Sequence, residues 1–165
     1  MNLITKLLPP AMVVLDMEVS SKKRLFEQLG LMFENERRVA MATVFESLFA
    51  REKLGSTGLG YAVAIPHGRI KGLRETCCAF VRTASGVPFE APDGAPVRLV
   101  FSMLVPEQAT EQHLEILSEL AQMFSEPAFR DALLNAPDAA AAHQLLVQWS
   151  PYGAVNAPPV RSAAV

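Results

Sequence analysis

Leu25, Leu29 and Met32 recur three and four residues apart through a charged stretch, the spacing of one face of an α-helix. A helix is predicted from Lys22 to about Glu34, N-capped by Ser20 or Ser21 and weakened slightly by Gly30. Val39, Val44 and Leu48, with Met41, Phe45 and Phe49 beside them, predict a second helix from about Glu36 to Glu52, ended at Gly55. The pattern then turns extended. Tyr61 to Ile65, Thr76 to Thr83 and Val97 to Val105 predict strands, and the almost unbroken apolar character of the third predicts burial on both faces. Ser85 to Pro96, with its Asp93-Gly94 turn pair, is a loop pinned by Phe89. Helical spacing returns after Pro106. Thr110 caps a helix from Glu111 to about Ser125, with Leu114, Leu117, Leu120, Ala121 and Phe124 on its apolar face. A short helix from Pro127 to Asn135 and a last one from Ala139 to about Trp149, capped by Asp138, follow. At the other end, Leu3 to Leu8 form a helical turn stopped by Pro9-Pro10, and Met12 to Leu15 an edge strand.

Helices before, between and after the strands predict an α/β sandwich, its central sheet covered on both faces. The 165 residues suit one domain. It is expected over residues 1–149, with residues 150–165, rich in proline and alanine, as a flexible tail. A net charge of −2 makes no case for nucleic acid or a membrane surface as partner. Neither a signal peptide nor a membrane span is expected, so the chain is placed in the cytoplasm. Cys77 and Cys78 are adjacent, a poor geometry for a disulfide, and read as strand residues in a reducing compartment.

There are three histidines. His143, after an alanine run in mid-helix, reads as a surface residue. His113, in the first turn of its helix, is either an exposed helix-start residue or a functional one. The positive helix end keeps its ring neutral, and free backbone N–H groups nearby favour an anion. His67 is either a satisfied strand-end histidine or a reactive group. Three features favour the second reading: the flanking Pro66 and Gly68, the Gly-Ser-Thr-Gly turn upstream, and the nearby cations Arg51, Lys53, Arg69, Lys71 and Arg74. Gly68 leaves room for a partner to approach the ring. The ring is expected to face solvent at a sheet edge and to accept and release a phosphoryl group, with Arg51 binding its oxygens. P-loop, HExxH and GxSxG motifs are absent, and Gly55 to Gly60 follows a helix rather than a strand, unlike a dinucleotide fingerprint. A His67/His113 metal pair lacks a third ligand, so no metal is expected.

The segments from Arg51 to Gly60 and from Ala64 to Gly68, Arg-Glu-Lys-Leu-Gly-Ser-Thr-Gly-Leu-Gly and Ala-Ile-Pro-His-Gly, closely resemble the active-site region of a known family. This is the fructose/mannitol-type enzyme IIA family of the bacterial phosphoenolpyruvate-dependent phosphotransferase system, and the likeness is greatest to its nitrogen-regulatory branch. Ser21 to Arg24, Phe89 to Val97, and Leu104-Val105-Pro106 leading to His113-Leu114 extend it over roughly residues 10–149. The resemblance implies a mixed sheet of about five strands flanked by helices. It implies that His67 takes a phosphoryl group on Nε2 from an HPr-like phosphohistidine carrier, with His113 and Arg51 as its active-site partners. Ser56, Thr57 and Gly68 are expected around the phosphate, and Leu59, Tyr61 and Arg69 on the docking face. No cofactor is expected, because the donor already carries an activated group. Tyr61 and Ala62 depart from the family pattern, where a small polar or acidic residue and a glycine are usual. The implied role is a stand-alone regulator, linked to nitrogen or potassium physiology, whose phosphorylation state controls partner binding. The alternatives are a sugar-transport IIA that hands phosphate to a separate IIB, and a binding module that is never phosphorylated.

Overall fold

A computed structural model describes residues 2–108 and 111–151. The expected Thr110 cap and residues 152–165 of the expected tail lie outside them. After a short 3₁₀ turn at Pro10–Met12, six strands form one mixed sheet: β1 Val13–Met17, β2 Gly58–Gly60, β3 Val63–Ala64, β4 His67–Ile70, β5 Cys77–Val87 and β6 Val97–Pro106. The order is β1-β5-β6-β3-β2, with β4 also pairing β6. Five α-helices complete the described residues: α1 Lys22–Arg37, α2 Met41–Glu52, α3 Glu111–Phe124, α4 Pro127–Leu134 and α5 Ala139–Gln148. The expected architecture, a sheet with helices on both faces, is the one observed.

Strand β6 is the axis. It pairs antiparallel with β5 on one side and parallel with β3 and β4, laid end to end, on the other. Val63 faces Leu99 and His67 faces Met103, so β3 and β4 keep one register across the break. The break falls where Pro66 has no N–H to donate, although its carbonyl still accepts from Met103 N at 3.0 Å. Side chains alternate across this sheet. Phe101 stacks on Phe124 of α3, and Arg82 reaches the carbonyls at the end of α4, so α3 and α4 cover one face. Gly68 turns to the opposite face, against Ser47 of α2.

That contact corrects one expectation. Gly68 is buried, and its missing side chain admits the protein's own helix α2 rather than an outside partner. A Cβ there would collide with Ser47 Oγ and stand 3.1 Å from both Ser47 Cβ and its carbonyl carbon. Gly68→Ala should therefore push α2 from β4 and destabilise the protein by about 1–3 kcal/mol, read as a lower urea midpoint at unchanged slope. An unshifted midpoint would mean that α2 is not tightly seated.

Other boundaries moved. Helix α1 continues to Arg37 and ends with Arg38 in the left-handed region (φ 59°), so the break falls at 38–40 rather than near Glu36. Glu34 decides it: its carbonyl accepts from Arg38 N, and its carboxylate caps α2 through Met41 N at 3.0 Å. The strand predicted from Tyr61 to Ile65 is present only as β3, Val63–Ala64; its first two residues are instead the turn between β2 and β3, with Tyr61 (φ 55°) and Ala62 (φ 67°) both left-handed. Asp93 accepts from Tyr61 N at 2.8 Å, and Ala62 O accepts from both Arg98 N and Leu99 N, so long-range bonds hold the pair there. Strand β5 runs on to Val87, past the predicted Thr83, through an irregular stretch after Arg82. In α3 the buried face is His113, Ile116, Leu120, Met123 and Phe124. Leu114 and Ala121, expected in the core, are exposed. Ser21 and Asp138 cap their helices as expected, and Phe89 is fully buried beneath its loop.

Candidate functional site

Three elements meet at an open cavity of about 500 Å³ lined by Arg51 from the end of α2 and Leu54 in the turn after it, His67, Gly68 and Arg69 from β4, and His113 from α3. Strand alternation puts His67 on the same sheet face as its partner Met103, the face that α3 covers. His113 belongs to the buried stripe of α3, so its ring points inward. The two imidazoles stack edge to face with centroids 5.3 Å apart.

His67 is only 8% exposed, a correction to the expectation of a solvent-facing ring. Burial sets its chemistry. Its Nδ1 lies 2.8 Å from Ile65 O, which can only accept. In the neutral ring Nδ1 therefore carries the proton, and Nε2 holds a free lone pair. Desolvation lowers the pKa of His67 more than the Ile65 hydrogen bond raises it, and the Arg51 and Arg69 charges lower it further. His113 is held low too, first by desolvation and then by the charges of His67, Arg69 and Arg51. It is 9% exposed, and neither of its ring nitrogens has a hydrogen-bond partner. A buried donor left without an acceptor is unfavourable unless something arrives to take it.

Both rings should titrate below about 6.5, the ordinary imidazole value. Between the lowered and ordinary midpoints the unfolded chain binds more protons than the folded one, so stability rises with pH there. Acidification through about pH 6.5 should lower the urea midpoint, with the loss complete below the native midpoints, and a His67→Gln/His113→Gln double variant should lack this part of the dependence. Ring-proton NMR midpoints at or above the ordinary value would contradict the burial argument.

Arg51 is half-buried and donates from Nη1 to Gly55 O at 2.8 Å, which holds the guanidinium at the cavity while leaving other N–H groups free. Its neighbour Glu52 turns inward. The Glu52 carboxylate is buried, pairs with Lys22 Nζ at 2.8 Å, and accepts from Thr57 N at 3.1 Å and Thr57 Oγ1 at 2.6 Å. Lys22 also sits over the Phe89 ring, 4.7 Å from its centroid. Ser56 Oγ donates to Phe89 O at 2.6 Å. The Gly-Ser-Thr-Gly turn thus anchors the end of α2 to α1 and to the 85–96 loop. The hydroxyls of Ser56 and Thr57, expected around a phosphate, are engaged in that anchoring and do not line the cavity.

The cations counted together in the sequence separate in space. Arg51 and Arg69 border His67, whereas Lys71 and Arg74 border a different cavity. Arg69 Nη1 donates to Glu107 O at 2.7 Å. Tyr61 does not line the His67 cavity. It is exposed and stacks on Arg130 of α4, with Cζ 4.4 Å from the ring centroid. His143 is half-buried and bonds Leu8 O at 2.9 Å, which makes it a tie to the N-terminal segment rather than a free surface residue. Sequence reasoning missed Ser47 and Leu54 in the cavity wall. Leu54 is 84% exposed and Leu114, beside His113, 64%, so two large apolar side chains stand uncovered near the histidines. A lone leucine after a charged helix end was the available signal.

Other reactive-looking groups are inert. Cys77 and Cys78 are free and buried, and burial pushes Cys77 up to about 11 and Cys78 well above the usual thiol range. Arg82 is buried in β5, pairs with Asp16, and donates to the carbonyls of Leu133, Leu134 and Ala136, a structural tie. Among the described residues no helix is long and apolar enough to cross a membrane.

Comparison with known proteins gives a consistent result. The family profile described as "Phosphoenolpyruvate-dependent sugar phosphotransferase system, EIIA 2" matches residues 6–149. A nitrogen regulatory protein of Pseudomonas aeruginosa is 43% identical over 145 residues, covering 87% of this chain and 94% of the relative. One from Bradyrhizobium diazoefficiens is 38% identical over 148 residues, with the same coverage of 87% and 94%. The crystal structure of the nitrogen regulatory protein IIA-Ntr from Neisseria meningitidis superposes with a TM-score of 0.84 at 54% identity, covering 88% of this chain and 99% of that one.

Proposed function

The chain belongs to the phosphoenolpyruvate-dependent phosphotransferase EIIA 2 family, and on that premise we propose that His67 Nε2 accepts a phosphoryl group from an HPr-like phosphohistidine carrier. One observation carries this reading. The Nδ1 contact with Ile65 O assigns the lone pair to Nε2, in a cavity shared with Arg51 and His113. The donor's P–N bond breaks and its electron pair returns to the donor ring, while the Nε2 lone pair forms the new P–N bond. The proton on Nδ1 stays where it is, bonded to Ile65 O. Arg51 meets the phosphoryl oxygens, and His113, kept neutral by burial, donates its single N–H to them. Docking is assigned to Leu54, Leu114 and Arg69 around the cavity, and to Leu59 and Tyr61, which stay exposed at the β2–β3 turn.

Phosphorylation adds nearly two negative charges beside those exposed leucines. In this proposal that change decides which partners bind, in a regulatory role of the kind named for the nitrogen regulatory relatives, with nitrogen or potassium physiology as its setting. Incubation with phosphoenolpyruvate, enzyme I and a cognate carrier should give a single phosphoryl addition by intact mass, acid-labile and base-stable. A chain that stays unmodified would be a binding module instead. Rapid loss of the group to an added fructose- or mannitol-type IIB would replace regulation by sugar transport.

A further inference from the structure

We propose a second binding site, for a small organic phosphate with more than one negative charge, in the basin between the α1–α2 junction and the β4–β5 turn. The basin encloses about 600 Å³, within the usual range of small-molecule sites. Arg37, Arg38, Lys71 and Arg74 line it, and Glu75 is the one acidic residue in its wall. None of the four cations forms an ion pair or a side-chain hydrogen bond among the described residues. Arg24, by contrast, meets Glu27 on the same helix α1 at 3.0 Å. Arg37 Nε is buried without any partner, which leaves a desolvated donor waiting for an acceptor.

Four unpaired cations around one hollow repel one another, and a bound polyanion relieves that repulsion. The local excess stands against a chain of net charge −2. Guanidinium groups match phosphate oxygens in pairs, and three of the four cations are arginines. An inorganic phosphate would leave most of the hollow empty. Val39, Ile70 and Leu73 supply an apolar wall for an organic portion. Gly72, with φ 86° and no atom within 4 Å of its missing Cβ, keeps the lip low. This basin shares no lining residue with the His67 cavity, although both border β4, His67 at its start and Ile70 at its end. The proposal therefore stands whether or not His67 is phosphorylated.

The test is titration of the ¹⁵N-labelled full chain with ADP and with inorganic pyrophosphate, both without metal. Saturable amide shifts centred on Arg38, Gly72 and Leu73 are expected, weakening as salt rises. ADP should bind more tightly than pyrophosphate, through the apolar wall. Lys71→Glu/Arg74→Glu, at two exposed positions, should weaken ADP about tenfold or more at unchanged Tm, and Arg51→Ala should leave ADP binding intact. The proposal is overturned by an absence of saturable shifts, by shifts centred on His67 and Arg51, by ADP binding no better than pyrophosphate, or by a charge reversal without effect.

Discussion

His67→Ala should abolish phosphoryl acceptance outright while the protein stays folded. The nucleophilic nitrogen has no substitute within the cavity: His113 lies across the stack, without the Nδ1 contact that assigns a lone pair to one nitrogen of His67. Removal of the ring enlarges an open cavity instead of emptying a closed core, so the stability change should be about 1 kcal/mol, typical of a point substitution. His67→Gln, which keeps a polar side chain of similar reach, should be equally dead and guards against a folding artefact. Intact mass after the relay reaction reads both variants. A variant that still gains the acid-labile group would move the acceptor elsewhere and end the assignment.

Arg51→Ala should slow transfer by about 10²–10³, equivalent to about 2.7–4 kcal/mol of transition-state stabilisation, the scale on which a preorganised charge donor acts in a water-poor site. The guanidinium is already tied to Gly55 O, so it needs little reorganisation when the phosphoryl group arrives. Arg51→Lys should recover only part of the rate, because an ammonium cannot hold two oxygens at once. The loss should fall on the single-turnover rate constant in rapid-quench experiments, with affinity for the carrier little changed. A rate equal to wild type would leave charge compensation to Arg69 or His113. The transfer rate should also stay flat near neutral pH and fall only in acid, as Nε2 takes up a proton.

In the proposed transfer, phosphorylation should not disturb the tie between Nδ1 and Ile65 O, since the Nδ1 proton takes no part in the step. The anchoring of the Gly-Ser-Thr-Gly turn to Glu52, Lys22 and Phe89 explains how a glycine-rich segment holds Arg51 in one place. Its hydroxyls look like phosphate ligands in the sequence. In the fold they satisfy a buried carboxylate and a loop carbonyl.

Local chemistry was legible from residues alone. Periodicity located the core faces of α1 and α2 and the doubly buried β6, caps located the starts of α1 and α5, and the Ile-Pro-His-Gly segment singled out the ring that the fold places in a cavity beside Arg51 and His113. These are contacts within a few residues, or stripes whose period is intrinsic to the backbone. Features decided by distant partners were not legible. Leu114 and His113 compete for the buried side of α3, and only the docking of that helix on the sheet resolves which one turns inward. The turn at Tyr61 and Ala62 is held by Asp93, Arg98 and Leu99, more than thirty residues away. Five neighbouring cations read as one cluster until β4 and its helices place two at His67 and two in another basin. The chain by itself determined which groups are candidates for the chemistry, and even the tautomer of His67, set by Ile65 two residues away; the packed sheet decided which of them meet, because burial and a cavity's walls depend on side chains that α2, β4 and α3 bring together from distant parts of the sequence.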